Sequence, residues 1–329
     1  ISRFWTTYMA YNAIEGSNGA SSIMGCRSRL NNNLKTVEDS IYNCGNLAYF
    51  TINLPKLGYL AKDEEEFYNL LDHYLDIVDE GLLYRRDMVQ KALDEGLMDF
   101  HKQKDKQTGR QLYEIERQTL TFGLVGINEC LLNLYGYGVK NHIDDAEKIL
   151  KHVNKHAKEF GDKNNVRTSV IMSPCESTSS EFADFDKEEY PDIICNGTKG
   201  AYYYTNGHDI PVDDEINFTE HLKNACALQK YATGGDIAHL WASGQCSAES
   251  LLKTTKIAIE NGIGFLSYSG AFTVCKECGA TFSGKIEQCD TCGNTELIVY
   301  EKICGYFVPL NKWCDGRLQQ EKDRYLQTI

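Results

Sequence analysis

The sequence predicts an α/β fold, and two observations carry that expectation. Apolar runs that stop at turn residues alternate with stretches of helical period, as where Gly45–Leu60 is followed by Phe67, Leu70, Leu71, Tyr74, Leu75 and Val78. Several strand-like runs feed directly into polar loops, the arrangement that puts ligands at the carboxy ends of strands in such folds. The alternation is also compatible with a barrel. At 329 residues the chain can bury a substantial core, as one large domain or two ordinary ones.

The elements follow in order. Residues 1–30 carry Gly16, Gly19 and Gly25 among Ser17, Ser21 and Ser22, which predicts a loop with unusual backbone angles. That loop ends in Cys26-Arg27-Ser28-Arg29. A lone cysteine is more often a small buried hydrophobe than a functional thiol, but the flexible Gly-Cys-Arg setting moves Cys26 toward function. The chain opens Ile1-Ser2-Arg3-Phe4-Trp5, apolar where natural termini are usually polar. The expectation is therefore the carboxy-terminal part of a longer protein, or one half of a split one.

Residues 45–60 read as a buried strand ending at Pro55, with Asn46 and Asn53 flanking its apolar body. Residues 64–98 read as two helices, and 101–112 as a solvated connection. Residues 119–135 start as a strand and turn helical, with Asn128 and Glu129 inside an apolar run where each needs a partner if buried. Asp144 to Phe160 is an amphipathic helix whose first acids suit a helix amino terminus. Val166 to Met172 is a strand that feeds Ser173-Pro174-Cys175-Glu176-Ser177-Thr178-Ser179. A cysteine, a carboxylate and hydroxyls at a strand's carboxy end suit a site, and a capped helix start accounts for Ser and Glu equally well. Residues 201–212 run from strand to polar loop. Tyr231 to His239 is a Gly-Gly turn and a short strand, with His239 a satisfied core residue rather than a ligand. A helix over 247–261, capped by Ser247, and a strand over 262–268 complete the pattern.

Composition narrows the function. The net charge of −13 leaves no basic face for nucleic acid, although backbone amides and single cations can still bind a small phosphorylated molecule. Thirteen cysteines, scattered singly apart from two CxxC pairs, indicate reduced and partly metal-bound thiols rather than a disulfide framework. The Asn196 and Asn217 sequons are short chance matches. No apolar run approaches the roughly 18 residues of a membrane span, and no signal peptide is seen, so a cytoplasmic location is expected. There is no internal repeat, no low-complexity tract, and neither a dinucleotide nor a P-loop glycine fingerprint.

Two stretches carry chemistry. Cys275-Lys-Glu-Cys278 and Cys289-Asp-Thr-Cys292 supply four thiolates at the spacing of a zinc ribbon, with Phe272 and Phe282 expected to pack around it and Gly279 and Gly293 at its turns. A site whose positions are all filled by protein is structural. Beyond it, Ile303-Cys304-Gly305-Tyr306-Phe307-Val308-Pro309 is too apolar for an exposed turn, which predicts a buried glycine at a loop tip. Glycine has no Cβ, so its α-carbon can become planar on losing a hydrogen atom. The unpaired electron is then shared with the flanking amide nitrogen and carbonyl. A glycine near a thiol can thus store a radical and exchange it with sulfur.

With these residues in view, the chain resembles the anaerobic (class III) ribonucleotide reductases. Cys304-Gly305-Tyr306-Phe307, Gly316-Arg317-Leu318-Gln319-Gln320-Glu321-Lys322-Asp323-Arg324 and the CxxC pairs resemble that family's carboxy terminus. Met24-Gly25-Cys26-Arg27-Ser28, Thr51 to Pro55, Phe122 to Glu129, Glu176 to Ser179, Tyr204-Thr205-Asn206 and Ala232 to Gly235 are similar to its other motifs, in the same order.

The resemblance implies part of a ten-stranded α/β barrel with a carboxy-terminal zinc ribbon and glycyl radical loop. Residues 1–270 would belong to the barrel, 271–298 to the Cys₄ ribbon, and 299–329 to the radical loop and tail. It implies Gly305 as the glycyl radical site and Cys26 as the thiyl radical that takes the ribose 3′ hydrogen. It further implies Asn46 as a mark of formate-dependent members, Glu176 as an active-site carboxylate, and Ser177, Thr178 and Ser179 as substrate-binding residues. Zn²⁺ would sit on Cys275, Cys278, Cys289 and Cys292. A separate iron–sulfur, S-adenosylmethionine-dependent activase would install the radical, the enzyme would be a homodimer, the substrates would be ribonucleotides, as triphosphates, with formate as reductant, and this chain alone would not reduce them. The family's amino-terminal half, with the first half-barrel, the allosteric nucleotide sites and often an ATP-binding cone, is expected outside this sequence. Lys302 stands where arginine is common, and Cys175 where alanine is usual. The competing expectations are another glycyl radical enzyme, or a non-catalytic zinc-ribbon interaction protein from a split or decayed gene.

Overall fold

A computed structural model describes residues 7–9, 22–24, 28–30, 44–206, 210–242, 246–303 and 305–326. Its centre is an arc of strands that all run in one direction. β4 (Gly45–Asn53), β5 (Gln118–Val125) and β6 (Arg167–Met172) pair in parallel in that order. The arc continues through Gly234 and Gly235: Gly234 N donates to Val170 O at 2.7 Å and Met172 N to Gly235 O at 3.1 Å. This segment leads into β9 (Ala238–Trp241), which pairs in parallel with β10 (Phe265–Ser269). β1 (Thr7–Met9) runs antiparallel along β10, and β2 (Ser22–Met24) and β3 (Ser28–Leu30) form a separate antiparallel pair. Among the described residues the arc has five parallel strands, in a mixed α/β arrangement.

β5 is buried at every position, as a central parallel strand covered on both faces must be. The face that carries Leu120, Phe122 and Leu124 is covered by α2 (Glu64–Asp94), through Phe67, Leu71, Leu75 and Leu82, and by α4 (Ile143–Asn164), through Ile149, Leu150 and Val153. Both meet Phe122, Leu124, Val170 and Met172 of the sheet in one core. Further along the arc, α6 (Phe218–Gln229) and α7 (Ala248–Glu260) pack Leu222 and Ala258 against Leu240 and Leu266. Ser247 caps α7 as expected, its side chain accepting from Ser250 N at 3.0 Å.

Two expectations are corrected. The strand expected over 45–60 ends at Asn53, and α1 (Leu54–Leu60) begins there. Pro55 starts this helix rather than only ending the strand, because the first helical positions have no intrahelical use for the missing N–H. The two helices expected over 64–98 are one helix of 31 residues. Its buried positions, Phe67, Leu71, Leu75, Val78 and Leu82, keep one unbroken period, and Asp63 caps it by accepting from Glu66 N at 2.9 Å.

Asn128 and Glu129 lie in the first turn of α3 (Ile127–Tyr135), and both are buried. Glu129 is fully buried and accepts from Thr205 N at 3.0 Å, Thr205 Oγ1 at 2.5 Å, Asn196 Nδ2 at 2.7 Å and Asn128 Nδ2 at 3.1 Å. This carboxylate ties the β5–α3 turn to the segment following β8 (Ala201–Tyr203). Glu129→Ala is expected to destabilise the fold by at least about 3 kcal/mol, because several buried donors lose their acceptor together. Glu129→Gln should lose less, and the urea unfolding midpoints of the two variants check the order.

Candidate functional site

The carboxy-terminal sheet builds the first part of the site. β11 (Phe272–Cys275) lies between β12 (Thr281–Ser283) and β13 (Leu297–Lys302), and β13 pairs with β14 (Phe307–Pro309). Cys275, Cys278, Cys289 and Cys292 converge, with all four Sγ atoms within 4.8 Å of one another. Cys275–Cys292 and Cys278–Cys289 are each separated by 3.6 Å. A tetrahedron with zinc–sulfur bonds of about 2.3 Å has sulfur–sulfur edges of about 3.8 Å, so the donor set fits Zn²⁺ with every position filled by protein. Gly279 and Gly293 turn the chain after each knuckle at φ of 71° and 76°. Phe272 stacks on Tyr300 at 5.0 Å and meets Phe307 edge-on at 4.9 Å. It therefore joins the ribbon to the strands that bear the glycine.

Gly305 sits at the tip of the β13–β14 hairpin, whose last pair is Lys302 with Phe307. It is half-buried, less enclosed than its apolar neighbours led us to expect, and Tyr306 is 47% exposed. The stem beneath it is firmly held. Lys302 is 2% exposed and donates to Ser267 Oγ at 2.9 Å and Tyr268 O at 3.0 Å of β10. Burial pushes its ammonium down to about 8. Arg324, beyond α8 (Asp315–Asp323), donates to Glu301 Oε1 at 2.6 Å and Lys302 O at 3.0 Å. Its guanidinium also lies 3.6 Å from the centre of the Trp241 ring. Burial pushes the Glu301 carboxyl up, and Arg324 beside it opposes that shift. His239 is buried and stacks on Trp241 at 4.9 Å.

Glu176 lies in the loop after β6, at the carboxy end of the parallel strands, with Ser173 Oγ bonded to Thr51 Oγ1 at 2.8 Å at the loop's start. Cys175 takes the left-handed backbone region at φ 44°, uncommon for a residue with a side chain. Tyr306, which follows the hairpin glycine, donates its hydroxyl to Glu176 Oε1. Glu176 and Gly305 are thereby brought to one place from distant parts of the sequence. α5 (Thr178–Glu189) begins just after, and Ser177 at its amino end makes no capping bond, so the capping explanation for that serine fails. Ser177 is exposed, Thr178 half-buried and Ser179 fully buried, with Ser179 Oγ 2.6 Å from Arg317 Nη2.

Asn46 is placed apart from this group. It lies near the amino end of β4, level with Thr119 and Arg167, five residues before Met172 along the sheet direction, or about 16 Å at strand rise. There it lines a cavity of ≈ 290 Å³ with Ser28 and Arg85, and its Oδ1 accepts no bond from any described residue. Cys26, two positions before Ser28 in sequence, lies outside the described residues, as does Cys304. Residues that sequence reasoning assigned no role are Tyr306, Arg317 and Arg324. Their only signal was membership of carboxy-terminal motifs, since nothing in the sequence shows which distant groups a side chain will meet.

Cys278→Ser and Cys289→Ser are each expected to lower bound zinc from about one ion per chain to near zero, because metal affinity in such a module is folding energy. Metal analysis measures the loss. Limited proteolysis should then cut within 303–306, since β13 is shared by the ribbon and the hairpin.

A family model described as anaerobic ribonucleoside-triphosphate reductase matches residues 1–326. The chain is 26% identical over 310 residues to the anaerobic ribonucleoside-triphosphate reductase of Haemophilus influenzae, covering 86% of this chain and 42% of that protein. It is 26% identical over 318 residues to the protein of the same description from enterobacteria phage T4, covering 89% and 50%. A solved anaerobic ribonucleotide reductase shares the fold with a TM-score of 0.73 at 20% identity, covering 87% of this chain and 46% of that one. The chain spans about half the length of the curated relatives it matches. With the family model matching nearly end to end, the chain belongs to the anaerobic ribonucleoside-triphosphate reductase family.

Proposed function

We propose that this chain carries the radical-bearing catalytic part of an anaerobic ribonucleoside-triphosphate reductase, which converts ribonucleotides to 2′-deoxyribonucleotides. The observation that carries this function is the hydrogen bond from Tyr306, next to Gly305, to Glu176. It supports a single centre made of the glycine able to store a radical and the carboxylate at the strand ends.

In this mechanism Gly305 holds the unpaired electron between turnovers and hands it to the Cys26 sulfur by hydrogen-atom exchange. The thiyl radical takes the 3′ hydrogen of the ribose, and Glu176 accepts the proton of the 3′ hydroxyl. The 2′ hydroxyl departs with a proton as water, and formate supplies the two electrons, leaving as carbon dioxide. Asn46, with its unmatched amide oxygen, is the proposed residue of the formate-dependent chemistry. The amino end of α5, at Ser177, Thr178 and Ser179, is the proposed seat for the substrate's phosphates. A helix amino terminus favours negative charge, and the Ser179 side chain is already engaged by Arg317. The four-thiolate site would hold a structural zinc that fixes the hairpin and takes no part in the reaction. The radical would be installed in trans by an iron–sulfur, S-adenosylmethionine-dependent activase, and the working enzyme would be a homodimer.

Anaerobic activation of the complete enzyme is expected to give a glycine-type doublet in electron paramagnetic resonance. Admission of oxygen should then cut the backbone at Gly305, seen as a loss of mass from the carboxy terminus. Absence of both would refute the radical function. Cys26→Ser should keep the doublet and lower deoxyribonucleotide formation by at least about 1,000-fold, since a serine O–H bond is too strong for the glycyl radical to exchange with and the rest of the site cannot replace the sulfur. Product analysis beside the resonance spectrum separates the two effects.

A further inference from the structure

We propose that Arg317 and Tyr306 are positioning residues for Glu176, so that the active-site carboxylate is correctly placed only when the segment bearing Gly305 is docked against it. This rests on the function proposed above. Glu176 is held at two points. Arg317 Nε donates to its backbone carbonyl at 2.7 Å, and Tyr306 donates to its carboxylate. Both donors come from the carboxy-terminal segment, one on each side of β14.

The Arg317 contact is built with care for shape. Arg317 has no exposed surface, and its Nη2 lies 2.6 Å from each of Cys175 O, Ser179 Oγ and Asn206 Oδ1, while Nη1 donates to Gln320 Oε1. One planar fork therefore holds the left-handed turn at Cys175, the carbonyl of Glu176 and the first turn of α5 together. Gly316 makes the approach possible. A Cβ there would lie 1.7 Å from Ser180 Oγ and 2.3 Å from Tyr202 O. The Gly316-Arg317 pair thus brings α8 close enough for the guanidinium to reach the loop. Asn206 follows Thr205, which Glu129 holds, so the fork is anchored to the strand arc on its far side.

A loop held through its carbonyls sets where the carboxylate begins, and the tyrosine sets where it points. Misplacing a catalytic group by an ångström costs on the order of 100-fold in rate, so both contacts should appear in kcat rather than in substrate binding.

The test uses the complete reductase with its activase, comparing wild type with Arg317→Lys and Tyr306→Phe. Lysine keeps the charge of Arg317 and loses the fork. We expect the glycyl doublet and the zinc content to stay at wild-type levels in both variants. Turnover should fall about 100-fold in Arg317→Lys and about tenfold in Tyr306→Phe, with KM within about threefold of wild type. Arg317→Ala should be slower than Arg317→Lys, since lysine can still reach one carbonyl. A purely structural role would lower the melting temperature and radical yield along with the rate. If Arg317→Lys loses zinc or the doublet, Tyr306→Phe decides, because that half-exposed hydroxyl can be removed without disturbing the core. Wild-type kcat in Tyr306→Phe, or a loss confined to KM, overturns the inference. A wild-type enzyme that forms neither radical nor deoxyribonucleotide overturns the proposed function instead.

Discussion

The burial of one guanidinium constrains most of what surrounds the candidate site. A charged fork removed from water must find an acceptor for each of its N–H directions, or the cost of burying it is not recovered. Arg317 finds carbonyl and side-chain acceptors for Nε, Nη1 and Nη2 in three segments: the run from the loop after β6 into α5, the segment after β8, and its own helix. Those segments cannot drift independently without stranding a buried charge. Cys175 can therefore persist in a backbone region that costs of order 1–3 kcal/mol. The same restriction fixes where the Glu176 loop leaves the sheet.

The hairpin that carries Gly305 is constrained by a different means. β13 belongs at once to the ribbon and to the hairpin, so the four cysteines, the Phe272–Tyr300 stack and the glycine share one sheet. Lys302 and Arg324 then fasten that sheet to the strand arc, the first through Ser267 and Tyr268, the second through Trp241. Lysine at 302 places a cation at the stem without the bidentate fork an arginine would offer. Here two acceptors on β10 suit an ammonium, and burial lowers its hold on the proton. A small module with little core of its own needs such external ties.

The site's parts are thus unequally assembled. Glu176, Tyr306 and Gly305 meet at the carboxy end of the strands, whereas Asn46 sits near the other end of β4, in a cavity it shares with Ser28. A reaction that uses both ends of a strand needs a substrate or a loop that spans the sheet's depth.

Local chemistry determined a good deal on its own. The alternation of strands and helices, the buried β5, the Ser247 cap, the demand of Asn128 and Glu129 for partners, and the four-thiolate cluster all follow from periodicity, side-chain chemistry and spacing within a few dozen residues. The two misjudged elements, the strand end at Asn53 and the unbroken α2, failed at boundaries, where several local preferences are nearly equal and packing decides. The tertiary structure alone decided that the Ser177 side chain makes no capping bond, that Phe272 packs on Tyr300, and that Arg317 and Tyr306 converge on Glu176. Gly305 could be singled out in the sequence because glycine's lack of a Cβ is a property of the residue itself. Which carboxylate its neighbour would meet could not, because contacts between distant segments are set by how buried polar groups satisfy one another once the chain is compact.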